Sequence, residues 1–97
     1  MGIDWKCPPL DRTFLDPTCG EGVFLLELAR RGIPPCNIYG VDLMSDNVSY
    51  VRQEMLKIVG DTESNRNIVE KNIRCEDALT YDYAFGNETY DEMFLSL

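Results

Sequence analysis

Three carboxylates stand at comparable places in this 97-residue chain: Asp16, Asp42 and Asp77. Asp16 closes the short apolar run Thr13-Phe14-Leu15. Asp42 closes the run from Asn37 to Val41, and Asp77 follows Asn72-Ile73-Arg74-Cys75. After the first acid comes Pro17-Thr18-Cys19-Gly20-Glu21-Gly22, a loop whose glycines let backbone approach a ligand and accept positive φ. A helix leaving such a loop directs free amides and the positive end of its dipole into it, favouring a carboxylate or phosphate there. Asp42 follows Asp16 by 26 residues, near the spacing at which an acid meets ribose hydroxyls in nucleotide-binding α/β folds. Leu43 and Met44 are then placed to lie against a purine. Asp77 is placed to accept from an exocyclic amine, with the backbone of Ala78 and Leu79 along the ring edge. The loop alone is weak evidence, because Leu25 stands where G-x-G-x-x-G needs its third glycine and no Gly-Lys-Ser/Thr follows. Each acid alone also has a plainer reading, as a helix N-terminal charge or a turn residue. The inference rests on the series.

The elements that must position these residues can be read from pattern. Thr13-Phe14-Leu15 reads as a buried strand. From Glu21 a nearly all-apolar helix follows, with Arg30 and Arg31 favouring its C-terminal dipole and Gly32 as its stop. Pro34 and Pro35 form the return turn, and residues 37–43 the second strand. Ser45 is expected to cap a second helix carrying Val48, Val51, Met55, Ile58 and Val59, which stops at Gly60. Residues 61–67 read as a polar loop, residues 72–75 as a third strand and Tyr90–Leu97 as a fourth. Alternation of this kind implies right-handed crossovers and a parallel α/β sheet, whose ligands bind at the carboxyl ends of its strands.

Composition sets the outer bounds. The length and the 44% apolar share fit a single small domain spanning residues 1–97. Seventeen acidic residues against nine basic ones give a net charge of −8, with no histidine. A field of that sign opposes binding to nucleic acid by the chain alone. Cys7, Cys19, Cys36 and Cys75 form no C-x-x-C pair and have no histidine to join them, so no metal site is expected. They read as reduced thiols of a cytoplasmic protein. The first residues lack the apolar region of a secretory leader, and no apolar stretch is long enough to span a bilayer, so no membrane role is expected.

LDPTCGEGVFLLEL is similar to the first motif of the Rossmann-like S-adenosyl-L-methionine-dependent methyltransferases. It most resembles that of the DNA adenine methyltransferases acting on the exocyclic amine, where a strand ending in D-P-x-C-G-x-G-x-F leads into a helix. The resemblance implies that Asp16, Thr18, Gly20 and Gly22 surround the methionine part of the cofactor, with Pro17, Cys19 and Phe24 completing the stretch. IYGVDL looks like the second motif, with Asp42 on the ribose and Leu43 against adenine. CEDALTYD is similar to the third, with Asp77 on the adenine amine and Ala78 beside it.

The chain also departs from that family. Its fourth strand runs into an Asn/Asp/Ser-Pro-Pro-aromatic motif that holds the target amine and stacks on the flipped base. Tyr90–Leu97 resembles the opening of that strand, but no Pro-Pro-aromatic follows within the 97 residues. No catalytic residue is therefore assigned. The resemblance implies a Rossmann-like methyltransferase half-domain: a parallel sheet of about four strands flanked by helices, truncated relative to the family. Its expected function is the S-adenosyl-L-methionine-binding portion of a restriction-modification DNA adenine methyltransferase, weak or inactive alone. DNA would be reached only through a missing segment or a partner chain. The alternative is a methyltransferase-derived acidic protein that docks on a nucleic-acid-binding partner, and an exposed sheet edge would also favour a homodimer.

Overall fold

Glycine and proline stops divide the chain much as the pattern predicts. The computed structural model describes residues 13–85. Its elements are β1 (Phe14–Asp16), α1 (Val23–Arg30), a 3-10 turn (Pro35–Asn37), β2 (Ile38–Asp42), α2 (Ser45–Val59), α3 (Glu63–Asn72) and β3 (Ile73–Cys75). The strands pair in the order β1-β2-β3, both pairings parallel, with Phe14 opposite Ile38 and Gly40 opposite Ile73. Where a sheet of about four strands is expected, three strands are present among the described residues. The expected fourth strand, Tyr90–Leu97, falls outside them.

Side chains alternate across a strand, so the two faces of β2 carry different residues. Ile38 and Gly40 face the helices, and a Cβ on Gly40 would run into the Leu25 side chain of α1. On this face Ile38 and Ile73 join Leu25, Leu26 and Ala29 of α1, Val48, Val51, Met55 and Val59 of α2, and Val69 of α3 in one buried cluster. Tyr39 and Val41 point the other way. The segment after β3 folds back over that face, bringing the Phe85 ring 4.8 Å from Tyr39, and Val41 is fully buried.

The end of α1 follows expectation in detail. Gly32 takes φ +91°, its amide donates to the Ala29 carbonyl at 3.0 Å, and the Ile33 amide donates to Leu28 at 3.1 Å. That double closure is the Schellman stop that a left-handed residue permits.

Three expectations are corrected. Ser45 is not the cap of α2 but its first residue; Met44 occupies the cap position and no side chain caps it there. Residues 61–67 are not simply a loop, because α3 begins at Glu63. Thr62 caps it by accepting from the Asn65 amide at 3.1 Å. The apolar period fails to announce this helix because polar Asn65 and Asn72 are buried in it alongside Val69. Asn65 donates to the Val59 and Gly60 carbonyls at the end of α2, and Asn72 to Pro35 and Cys36. The reading of reduced thiols holds for Cys19 and Cys75, but Cys36 is disulfide-bonded. Cysteine spacing carries no pairing information of its own. Among the described residues no helix is long and apolar enough to cross a membrane.

Candidate cofactor-binding site

Each strand leaves the sheet through the same local device. The Asp16 carboxylate accepts from the Thr18 amide at 3.1 Å, Asp42 from Met44 at 2.8 Å, and Asp77 from Leu79 at 2.9 Å. An aspartate bonded to the amide two residues on is an Asx turn, which bends the chain without secondary structure. Part of the regularity seen in the sequence is therefore turn chemistry, repeated at three strand ends.

Asp42 does more than turn the chain. Its Oδ2 accepts from the Gly20 amide at 2.9 Å, and its Oδ1 also accepts from the Asn47 side chain at 3.2 Å. Burial pushes this carboxyl up, but the Met44, Gly20 and Asn47 donors outweigh it and hold it below the ordinary value. The first loop is thus tied to the second strand end. A second tie comes from backbone, the Cys19 amide donating to the Val41 carbonyl at 2.9 Å. The third strand end joins through the Glu76 amide, which donates to the Asp42 carbonyl at 3.0 Å. Asp77 is the next residue. The sheet therefore brings the three motif-bearing segments to one edge.

The two loop glycines have different reasons to be glycine. Both have positive φ, +55° at Gly20 and +77° at Gly22. A Cβ on Gly22 would sit 2.6 Å from Cγ2 of Val51, so close packing of α1 on α2 occupies its missing side chain. A Cβ on Gly20 would meet nothing within 4 Å, so open space remains beside the loop. Gly22 is itself the cap of α1, and no side chain caps that helix. Around this edge stand apolar side chains left in water: Leu43 is 69% exposed, Met44 58% and Leu79 95%. Phe24, half exposed, packs edge-on to Phe14.

Cys19 lies under the loop. Burial, then the charges of Asp42 and Asp16, push its thiol up to about 11. It is a packing residue with no nucleophilic character at neutral pH. Asp16 and Asp42 are thus both close enough for their charges to act on one thiol. Among the described residues no cluster of three or more His, Cys, Asp or Glu is placed to hold a metal ion.

No family model matches the chain, and no solved structure matches it. Among curated proteins it is similar to the Type II methyltransferase M.VspI of Vibrio sp. (strain 343), 39% identical over 82 residues. The sequence is related to a methyltransferase. The similarity covers 84% of this chain but 18% of that protein's length. It bears on the α/β sheet with its glycine loop, and reaches only a small part of the longer relative.

Sequence reasoning missed two groups at this edge. Glu76 contributes through its backbone amide, which side-chain type cannot reveal. Asn47 was legible in principle, because asparagine in the first turn of a helix suits a side chain that bonds backward rather than outward.

Proposed function

We propose that the chain forms the S-adenosyl-L-methionine-binding portion of a methyltransferase acting on the exocyclic amine of DNA adenine. The observation that supports this best is the Gly20–Asp42 hydrogen bond, 2.9 Å long, which joins the glycine loop to the acid of the second strand. The open space beside Gly20 suits the methionine end of the cofactor, and the uncapped start of α1 suits its carboxylate. In this reading Asp16, Pro17, Thr18, Cys19, Gly20, Gly22 and Phe24 form or support the loop. Asp42 accepts from the ribose, Leu43 lies on the adenine, and Asp77 with Ala78 meets its edge. The Type II methyltransferase relative supports the reaction class. The cofactor supplies a methyl group already activated on a sulfonium, so the protein's contribution is to bind and orient. The acceptor would be positioned by residues beyond those assigned here.

Calorimetric titration of the chain with S-adenosylhomocysteine tests the reading. Saturable one-to-one binding is expected, weakened roughly tenfold or more by Asp42→Ala, because a hydrogen bond to a charged acceptor contributes about 1.5–3 kcal/mol. Absence of heat at millimolar ligand would remove the cofactor from the account. The net charge of −8 supports a second reading, an acidic surface that docks on a basic nucleic-acid-binding protein. That reading requires capture of such a partner to be lost on charge reversal and unaffected by S-adenosylhomocysteine.

A further inference from the structure

We propose that Tyr83 is a positioning residue for Asp77, steadying its carboxylate toward the exocyclic amine of the cofactor's adenine through the peptide that joins Ala78 to Leu79. This rests on the cofactor reading above and adds to it a residue beyond the three motif stretches. The hydroxyl of Tyr83 donates to the Ala78 carbonyl at 2.6 Å. The amide of the same peptide, that of Leu79, donates to Oδ1 of Asp77 at 2.9 Å. A donor on a carbonyl oxygen polarises the peptide and strengthens the bond its N–H gives. It also fixes the plane in which that N–H points. Tyr83 therefore acts on the carboxylate without touching it.

Asp77 has more need of such support than Asp42. Asp42 is tied by donors from the first loop and from α2, whereas Asp77 lies exposed in the segment after β3. That segment is braced from within. The Thr80 and Tyr81 amides donate to the Asp77 carbonyl at 3.0 and 2.8 Å. The Ala84 amide donates to Oδ1 of Asp82 at 2.9 Å, and the Phe85 amide to the Tyr81 hydroxyl at 2.8 Å. Tyr83 and Phe85 take positive φ, +58° and +49°, a region that bulky residues seldom adopt. Such a conformation persists only where its surroundings over-determine it, and it clusters where ligands are clamped. Here it sends the two rings to different tasks. Phe85 is buried 4.8 Å from Tyr39, while Tyr83 packs 5.2 Å from Tyr81 and returns its hydroxyl to Ala78. The segment is anchored on the sheet at one end and pinned to the candidate site at the other.

The test titrates two probes calorimetrically into the 97-residue chain, wild type and Tyr83→Phe. One is S-adenosylhomocysteine; the other carries purine in place of adenine and so lacks only the exocyclic amine. Wild type is expected to favour S-adenosylhomocysteine about tenfold or more, as a hydrogen bond to a charged acceptor allows. Phenylalanine keeps the ring contacts and removes the donor. In Tyr83→Phe, S-adenosylhomocysteine is expected to bind about three- to tenfold more weakly and the purine analogue within about twofold of its wild-type affinity, narrowing the preference. Tyr83→p-aminophenylalanine, which keeps a weaker donor on the same ring, should restore part of it. If Tyr83 serves the fold alone, the two probes weaken by a common factor or neither changes, and either result overturns the proposal. Equal affinity of the two probes in wild type overturns it as well, while leaving the cofactor reading standing. Failure of wild type to bind S-adenosylhomocysteine at all is a different result, overturning the cofactor reading and this inference with it. Should Tyr83→Phe prove unfolded by circular dichroism, the p-aminophenylalanine variant carries the comparison: an intermediate preference is expected, and an undiminished one overturns the proposal.

Discussion

Asp16, Asp42 and Asp77 all accept the amide two residues on, but only Asp42 also takes donors from other elements, Gly20 and Asn47. The difference has a pH signature. Because the folded carboxyl of Asp42 is held below its ordinary value, its contribution is fully present above the unfolded value of about 3.9. It is lost as pH falls through the lower, folded value. Asp42→Asn should therefore be less stable than wild type at pH 7, by about 1 kcal/mol, because the carboxylate is partly exposed to solvent. The two proteins should converge at strongly acid pH in a urea-denaturation series. A gap of constant size across that series would show that the charge on Asp42 has no part in it. The thiols make a separate test. Cys75 is exposed and Cys19 buried with a raised thiol. Peptide mapping after brief alkylation at pH 8 should find Cys75 modified and Cys19 intact until the chain is unfolded. Comparable rates would mean the loop over Cys19 is open.

At the scale of elements, the join between the loop and the helix layer is tightest at Gly22. Alanine there meets both a left-handed φ of +77° and the Val51 methyl 2.6 Å from its Cβ. Strain of the first kind costs about 1–3 kcal/mol and overpacking adds about as much, so Gly22→Ala should lose more stability than Gly20→Ala, which meets only the first. Combining Gly22→Ala with Val51→Ala should recover part of the overpacking term; strict additivity of the two losses would disprove the contact. A second joint is Arg52 of α2, whose guanidinium donates to the Ile73 carbonyl at 2.6 and 2.9 Å and to the Glu70 carbonyl at 3.2 Å. It closes the step from α3 into β3. Lysine lacks that fork, so Arg52→Lys should lower the unfolding midpoint, at a loss of about 1–2 kcal/mol. An unchanged midpoint would make the contact incidental. What was legible divides along the same lines. β1, α1, β2 and α2 could be read because apolar period and glycine stops agree with packing. α3 could not, because Asn65 and Asn72 fill inward positions and only the Thr62 cap marks its start. The acids and the glycine loop could be read as a series, whereas their mutual bonds, and the turn chemistry that explains part of their regularity, required the fold.

For the whole molecule the governing quantity is charge. Seventeen acidic residues outweigh nine basic ones, giving −8, and several cations do not act as free charges. Arg31, Lys57 and Arg66 lie within 4.0 Å of Glu27, Glu54 and Asp61, and Arg52 is turned inward onto carbonyls. Duplex DNA carries one negative charge per about 1.7 Å, and proteins that neutralise its phosphates bind more tightly as salt falls, because counterions are released. Repulsion predicts the reverse for this chain. Between acidic protein and duplex the field is screened over about 8 Å at physiological ionic strength and reaches further as salt is lowered. Anisotropy of a labelled duplex should therefore stay flat as the chain is added at physiological salt, and remain flat at low salt, with or without S-adenosylhomocysteine. If the proposed function holds, affinity for DNA has to come from residues other than the acidic ones that set this net charge. Affinity that rises as salt falls would mean that Arg30, Lys71, Arg74 or cations outside the described residues form a basic face strong enough to outweigh the net charge. The chain would then contribute to holding DNA itself.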